Sequence, residues 1–190
     1  MTAAEFKDAK LLWKMFYAYH CFRRAEAAAQ HILDERLEKE SPLFYPLVTS
    51  VYVLYGKPFK RARGVGQLGE ELIPREHLDL HRQLLKHRDQ VYAHIDAYAF
   101  PLADFGGVNQ LRVIQTSTEQ RLFAVDFHAR FPLMPSVIDL CRVLQTKTWY
   151  HVEKLFNRYK SKVPKSVGEY LVNVSNEAGE FFTRAKPMIS

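Results

Sequence analysis

AEFKDAKLLWKMFYAYHCFRRAEAAAQHILDERLE, residues 4–38, is the stretch whose reading decides the fold. Its apolar residues Phe6, Leu11, Leu12, Met15, Phe16, Tyr19, Phe22, Ala25, Ala29, Ile32 and Leu33 recur at steps of three and four. That spacing places them on one face of a helix. The pattern predicts a long amphipathic first helix, from Ala4 to about Glu38, whose stripe has to be covered by other elements.

Working outward, Ser41-Pro42 reads as an N-cap followed by proline at the first helical position. Leu43 to Tyr55 then continues as a second, strongly apolar helix with Tyr45, Val48, Tyr52 and Tyr55 on its buried side. The run Val51 to Tyr55 would suit a strand as well, and the cap favours helix. Gly56 to Gly69 carries four glycines and a proline among basic residues and reads as a loop. A brief turn is expected at Glu70 to Ile73. Pro74 opens a third long helix, Arg75 to Tyr98, with Leu78, Leu84, Leu85, Val91, Tyr92 and Ile95 toward the core.

Beyond Pro101 the pattern changes. Gly106-Gly107 marks a turn, and Val108 to Thr116 and Arg121 to Ala129 form two β-branched or aromatic runs across Ser117 to Gln120. These predict a hairpin, closed by Pro132 and Pro135. Ser136 to Tyr159 restores helical spacing through Val137, Leu140, Val143, Leu144, Val152, Leu155 and Phe156, and a last, weaker helix is expected from Ser166 to about Phe182. The expected fold is mainly α: one domain, residues 1–190, built as an up-and-down helical bundle with a small β-hairpin inserted before the last long helix.

At 190 residues, with 47% hydrophobic and 25% charged residues, the composition is that of one globular domain. The first thirty residues are broken by charges at Glu5, Lys7, Asp8, Lys10, Lys14 and Arg23, so neither a signal peptide nor a membrane span is expected. Cys21 and Cys141 lie in apolar surroundings and read as reduced, buried thiols, consistent with a cytoplasmic protein. The net charge is +6 and the pI near 9.3, which favours a polyanionic partner such as RNA. Two basic clusters stand out: Lys57, Lys60, Arg61 and Arg63, and Arg158, Lys160, Lys162 and Lys165. Each could meet phosphates, or be an ordinary solvated face.

Several chemistries lack their templates. No GxxxxGK[ST] loop, Cys-x-x-Cys or His-Glu-x-x-His is present. His77 and His81, four apart, could share a helix face as metal ligands do, but no third ligand is specified and no metal or other cofactor is expected.

What remains is Leu84-Leu85-Lys86-His87-Arg88-Asp89-Gln90-Val91-Tyr92-Ala93-His94-Ile95-Asp96. It resembles the signature helix of the HEPN superfamily: an arginine followed by a polar residue, then four to six residues to a histidine usually preceded by alanine. Here Arg88 is followed by Asp89, and Ala93 precedes His94; Asp96 resembles the Ala-His-x-Asp ending of abortive-infection members. The resemblance covers one helix closely and the rest only in architecture, and the inserted hairpin departs from the all-helical pattern.

The resemblance implies metal-independent RNA cleavage, with His94 as general acid and base, Arg88 on the phosphate and Asp89 orienting Arg88 or polarising a histidine. It also implies a homodimer and a setting in phage defence or beside an antitoxin. On an ideal helix, side chains six apart diverge by roughly 120° and stand about 9 Å apart along the axis. Two motif helices meeting across a two-fold axis would assemble what one cannot. Two other readings stand beside this one. In the first, the same fold binds nucleotide, RNA or a protein partner without catalysis. In the second, Arg88 pairs with Asp89 and His94 meets a carbonyl, leaving no active site.

Overall fold

The computed structural model describes residues 1–61, 66–89, 111–124 and 133–185. Thr2 starts the first helix by a capping box: its hydroxyl accepts the Glu5 N–H at 3.2 Å, and the Glu5 carboxylate accepts the Thr2 N–H at 2.8 Å. Helix α1 then spans Ala3–Asp34. It buries Ala9, Leu12, Met15, Ala18, Phe22, Ala25, Ala29 and Ile32. Steps of three in its first half swing this stripe around the helix, and Phe16, expected on it, is 45% exposed at the margin.

Helix α2 spans Phe44–Gly56, and the helical reading of Val51 to Tyr55 holds because Val48, Val51, Tyr52 and Tyr55 are buried at helical spacing. Its start differs from expectation. The N-cap is Leu43, with no side-chain bond, while Ser41 accepts the Phe44 N–H on its carbonyl at 3.0 Å. Pro42 thus sits in the turn before the helix rather than in its first position. Helix α3 is Leu78–His87, preceded by a short 3-10 turn at Arg75–His77. The expected continuation from Gln90 to Tyr98 lies outside the described residues.

Strands β1 (Leu111–Gln115) and β2 (Gln120–Ala124) pair antiparallel, with Leu111 opposite Ala124 and Gln115 opposite Gln120. The Thr116 hydroxyl accepts the Glu119 N–H at 3.0 Å inside the connecting turn. The outer parts of the expected hairpin, 108–110 and 125–129, lie outside the described residues. Helix α4 covers Leu133–Tyr159.

The chain after α4 corrects the sequence reading. No helix forms between Ser166 and Phe182; β3 (Tyr170–Val172) and β4 (Phe182–Arg184) make a second antiparallel pair. The reason is local. The Asn173 side-chain oxygen accepts the N–H groups of Ser175 and Asn176 at 3.2 and 3.1 Å, an Asx turn that competes with helix. Phe181 and Phe182 are buried, and the Phe181 ring stacks on Tyr159 at 4.2 Å.

α1 is the central element. α4 lies antiparallel along it, since Glu26 meets Arg142 at 2.7 Å near one end and Asp8 meets Arg158 at 2.6 Å at the other. Alanines at 9, 18, 25 and 29 are wholly buried on α1, which lets the helices packed on it approach closely. α2 returns antiparallel on α1, its last turn bringing Tyr55 to Phe22 at 5.9 Å between ring centroids. α3 packs on α2 through Tyr55 and His81. Among the described residues the protein is mainly helical with two small antiparallel hairpins, and no helix is long and apolar enough to cross a membrane.

Candidate functional site

The segment joining α2 to α3 is held from below by aromatic packing. Phe59, in the 3-10 turn Lys57–Phe59, is buried against Tyr55, Phe22 and His81, with ring centroids 5.6, 5.7 and 4.5 Å away. The Leu68 N–H donates to the Pro58 carbonyl at 2.9 Å, and the Lys14 ammonium to the Gln67 carbonyl at 3.0 Å. An anchored Phe59 puts the next residue, Lys60, over the end of α3.

There Lys60, Arg88 and Asp89 meet. The Lys60 ammonium and the Arg88 guanidinium both donate to Asp89, the latter through Nη1 to Oδ1 at 2.8 Å. Burial alone would raise the Asp89 carboxyl, but the bonds from Lys60 and Arg88 outweigh it and hold it below the ordinary aspartate value. The cluster carries two positive charges and one negative. Lys60 and Asp89 are 37% and 39% exposed, but Arg88 only 16%.

Arg88 reaches this position because of a glycine. It still has helical dihedrals, φ −55° and ψ −47°, beyond the end of α3. Its stem lies over Gly56, the buried last residue of α2, where an added Cβ would stand 3.1 Å from both Cγ and Cδ of Arg88. The Nε of Arg88 is buried and has no hydrogen-bond partner among the described residues. So the guanidinium has donors beyond the one bond to Asp89.

The other expected residues fall differently. Lys57 and Arg61 are exposed, and Lys57 stands near Cys21 of α1. Burial raises the Cys21 thiol above its ordinary value, and the Tyr17 hydroxyl, Lys57 and Arg24 oppose that rise. His94, Arg63, Tyr92, Ala93 and Asp96 lie outside the described residues. Among the described residues, the basic loop meets the first half of the motif through Lys60. Of the second basic cluster, Arg158 is paired with Asp8 and Lys162 with Glu5, at 2.6 Å each. These two cations fasten the end of α4 to the start of α1.

His81 is not placed as a metal ligand. It is fully buried, its Nδ1 lies 2.7 Å from the Tyr55 hydroxyl, and its Nε2 has no partner among the described residues. Burial lowers its pKa below the ordinary imidazole value. Among the described residues no group of three or more His, Cys, Asp or Glu side chains could hold a metal ion. Both cysteines are buried.

The sequence already suggested that Arg88 pairs with Asp89, as the structure has it; it did not show that Lys60 joins them or that Gly56 makes room for the cluster. The readable signal was the order Gly56-Lys57-Pro58-Phe59-Lys60, in which a buried aromatic fixes the lysine one residue on. No protein-family model, curated protein or solved structure matches this chain.

Proposed function

We propose that this protein is a metal-independent endoribonuclease of the HEPN type, a homodimer with a composite site at the subunit interface, acting in phage defence or under an antitoxin. The observation that supports it is the joining of Lys60 to Arg88 through Asp89, which sets one cation of the basic loop beside Arg88 just past the end of α3. A cation pair around one carboxylate keeps a net positive charge where an RNA phosphate would dock. Arg88 is well suited to grip two phosphate oxygens and to stabilise the charge that builds on them.

In this reading His94 takes the proton from a ribose 2′-hydroxyl, whose oxygen attacks the adjacent phosphorus. The bond to the 5′-oxygen breaks, that oxygen receives a proton, and the upstream fragment ends in a cyclic phosphate. Asp89 holds Arg88 in register. No metal enters any step.

A second reading, a non-catalytic helical module that binds nucleotide, RNA or a protein, is favoured by the burial of Arg88 and its ion pair with Asp89. Such a pair is often purely structural. One assay separates the two: the purified protein is incubated with mixed RNA and a chelator, beside His94→Ala and Arg88→Ala. The ribonuclease reading expects cyclic-phosphate ends with the wild type and a loss of cleavage in both variants. Cleavage surviving both substitutions would sink the proposed site, and binding without cleavage across varied RNAs would select the second reading.

A further inference from the structure

α1, α4 and β3 enclose a groove of about 770 Å³ that shares no residue with the Lys60, Arg88 and Asp89 cluster. Its walls include Trp13, Phe16, Trp149 and Phe156, between 39% and 45% exposed, and Leu171, 59% exposed. Single exposed apolar side chains are ordinary on a protein surface. Five aromatic side chains in one concavity, counting Tyr170, are not. The volume falls within the roughly 300–1,000 Å³ of small-molecule sites.

Charge decides which molecule fits. Glu153 lines the same groove, and its Oε1 accepts the Trp149 indole N–H at 2.9 Å. The acids nearby on α1 are each ion-paired: Glu5 with Lys162, Asp8 with Arg158, Glu26 with Arg142. Glu153 has no such cation among the described residues. Nor does a cation stand over Trp13, Phe16, Trp149 or Phe156 there, although Lys10 sits 4.1 Å over the Phe6 ring further along α1. A carboxylate and five aromatic side chains, Tyr170 among them, thus line one groove, and among the described residues no cation pairs with that carboxylate or stands over Trp13, Phe16, Trp149 or Phe156.

We propose that this groove binds a small organic cation with an apolar body, of the aryl- or alkyl-trimethylammonium class. Its head lies against the aromatic faces and the Glu153 carboxylate, and its body along Leu171. A quaternary head suits the lining better than a primary ammonium. The latter carries three N–H donors that need acceptors, and the groove's polar side chains are Glu153, Asn157 and Tyr170, whose hydroxyl is already bonded to Ser166.

The chain contains two tryptophans, Trp13 and Trp149, and both line the groove, so fluorescence excited selectively at tryptophan reads this groove and the surface beside Trp149. The full chain is titrated with benzyltrimethylammonium and with neopentylbenzene, its neutral carbon isostere. The expected result is a saturable fluorescence change with the cation, weakened roughly fivefold or more in Glu153→Gln, and weak, variant-independent binding of the isostere. Glu153 is exposed, so the variant folds, which circular dichroism verifies. Equal affinity for cation and isostere, or no saturable change, overturns the proposal. So does tryptophan emission that shifts with protein concentration in step with self-association abolished by Phe16→Ala, since a second copy would then be the occupant.

Discussion

Asp89 is the residue on which the cluster turns. Replacing it with asparagine removes the one negative charge between Lys60 and Arg88 and raises the cluster from one net positive charge to two. Because Asp89 is 39% exposed, the lost ion pairs should cost no more than about 1 kcal/mol of stability. If Asp89 positions Arg88 for phosphate, Asp89→Asn should bind RNA as tightly as the wild type or more tightly, while cleaving at least roughly tenfold more slowly. Filter binding and single-turnover cleavage read the two effects separately; a parallel fall in both would mean that Asp89 serves the fold alone. His81 gives a second expectation. Its folded pKa lies below the ordinary imidazole value of 6.5, because burial disfavours the charged ring. Between the two values the unfolded chain binds more protons, so the stability His81 contributes is complete above the ordinary value and lost as pH falls below it. Asp89, also depressed, acts with the same sign at lower pH, below the ordinary carboxylate range. Midpoints of urea unfolding should therefore decline from pH 7.5 to 5.5, and the decline should flatten in the Tyr55→Phe, His81→Leu double variant, which removes both partners of the buried pair. A slope unchanged in that variant would assign the decline to other groups.

At the scale of elements, Gly56 couples α2 to α3. An alanine there would press its methyl to 3.1 Å from the Arg88 stem, tighter than ordinary packing, so Arg88 must shift. Gly56→Ala should cost about 1 kcal/mol and displace Arg88 from Asp89, yet in an Arg88→Ala background the cost should vanish, because the obstructing stem is gone. Additive effects in that double-mutant cycle would contradict the contact. The same scale explains what was legible in the sequence. α1 and α4 were, because dozens of residues repeat a helical period, and on α1 buried alanines alternate with larger side chains. The segment from Ser166 to Phe182 was misread because its apolar residues are few, and the deciding feature is one side chain, Asn173, which ties off two backbone N–H groups. Phe16 was misplaced because periodicity locates a face without saying how far neighbours extend over it. The site was half legible: the motif resemblance singled out Arg88 and Asp89, but their meeting with Lys60 depends on how the α2 to α3 connection folds, for which the sequence offers only the buried Phe59 just before that lysine.

Across the whole molecule, the ion pairs of Asp8 with Arg158 and Glu26 with Arg142 mark the two ends of the contact between α1 and α4, and the cluster lies apart from it, where α2 meets α3. One chain presents one Arg88, and a helix that placed His94 six residues on would turn it roughly 120° away. The proposed chemistry therefore needs the second subunit, and this has a consequence that activity measurements on single variants cannot reach. In a two-fold dimer with both motif helices in one cleft, a chain lacking Arg88 and a chain lacking His94 complement each other, since the mixed dimer keeps one of each. Arg88→Ala and His94→Ala, each inactive alone, should regain RNA cleavage when unfolded together and refolded at equal concentration, where about half of randomly paired dimers are mixed. Sedimentation at micromolar concentration supplies the control by showing the dimer itself. Recovery that tracks the fraction of mixed dimers assigns the site to both chains. A dimer that forms but restores nothing would confine the active constellation to one subunit, and a monomer would remove the composite cleft altogether.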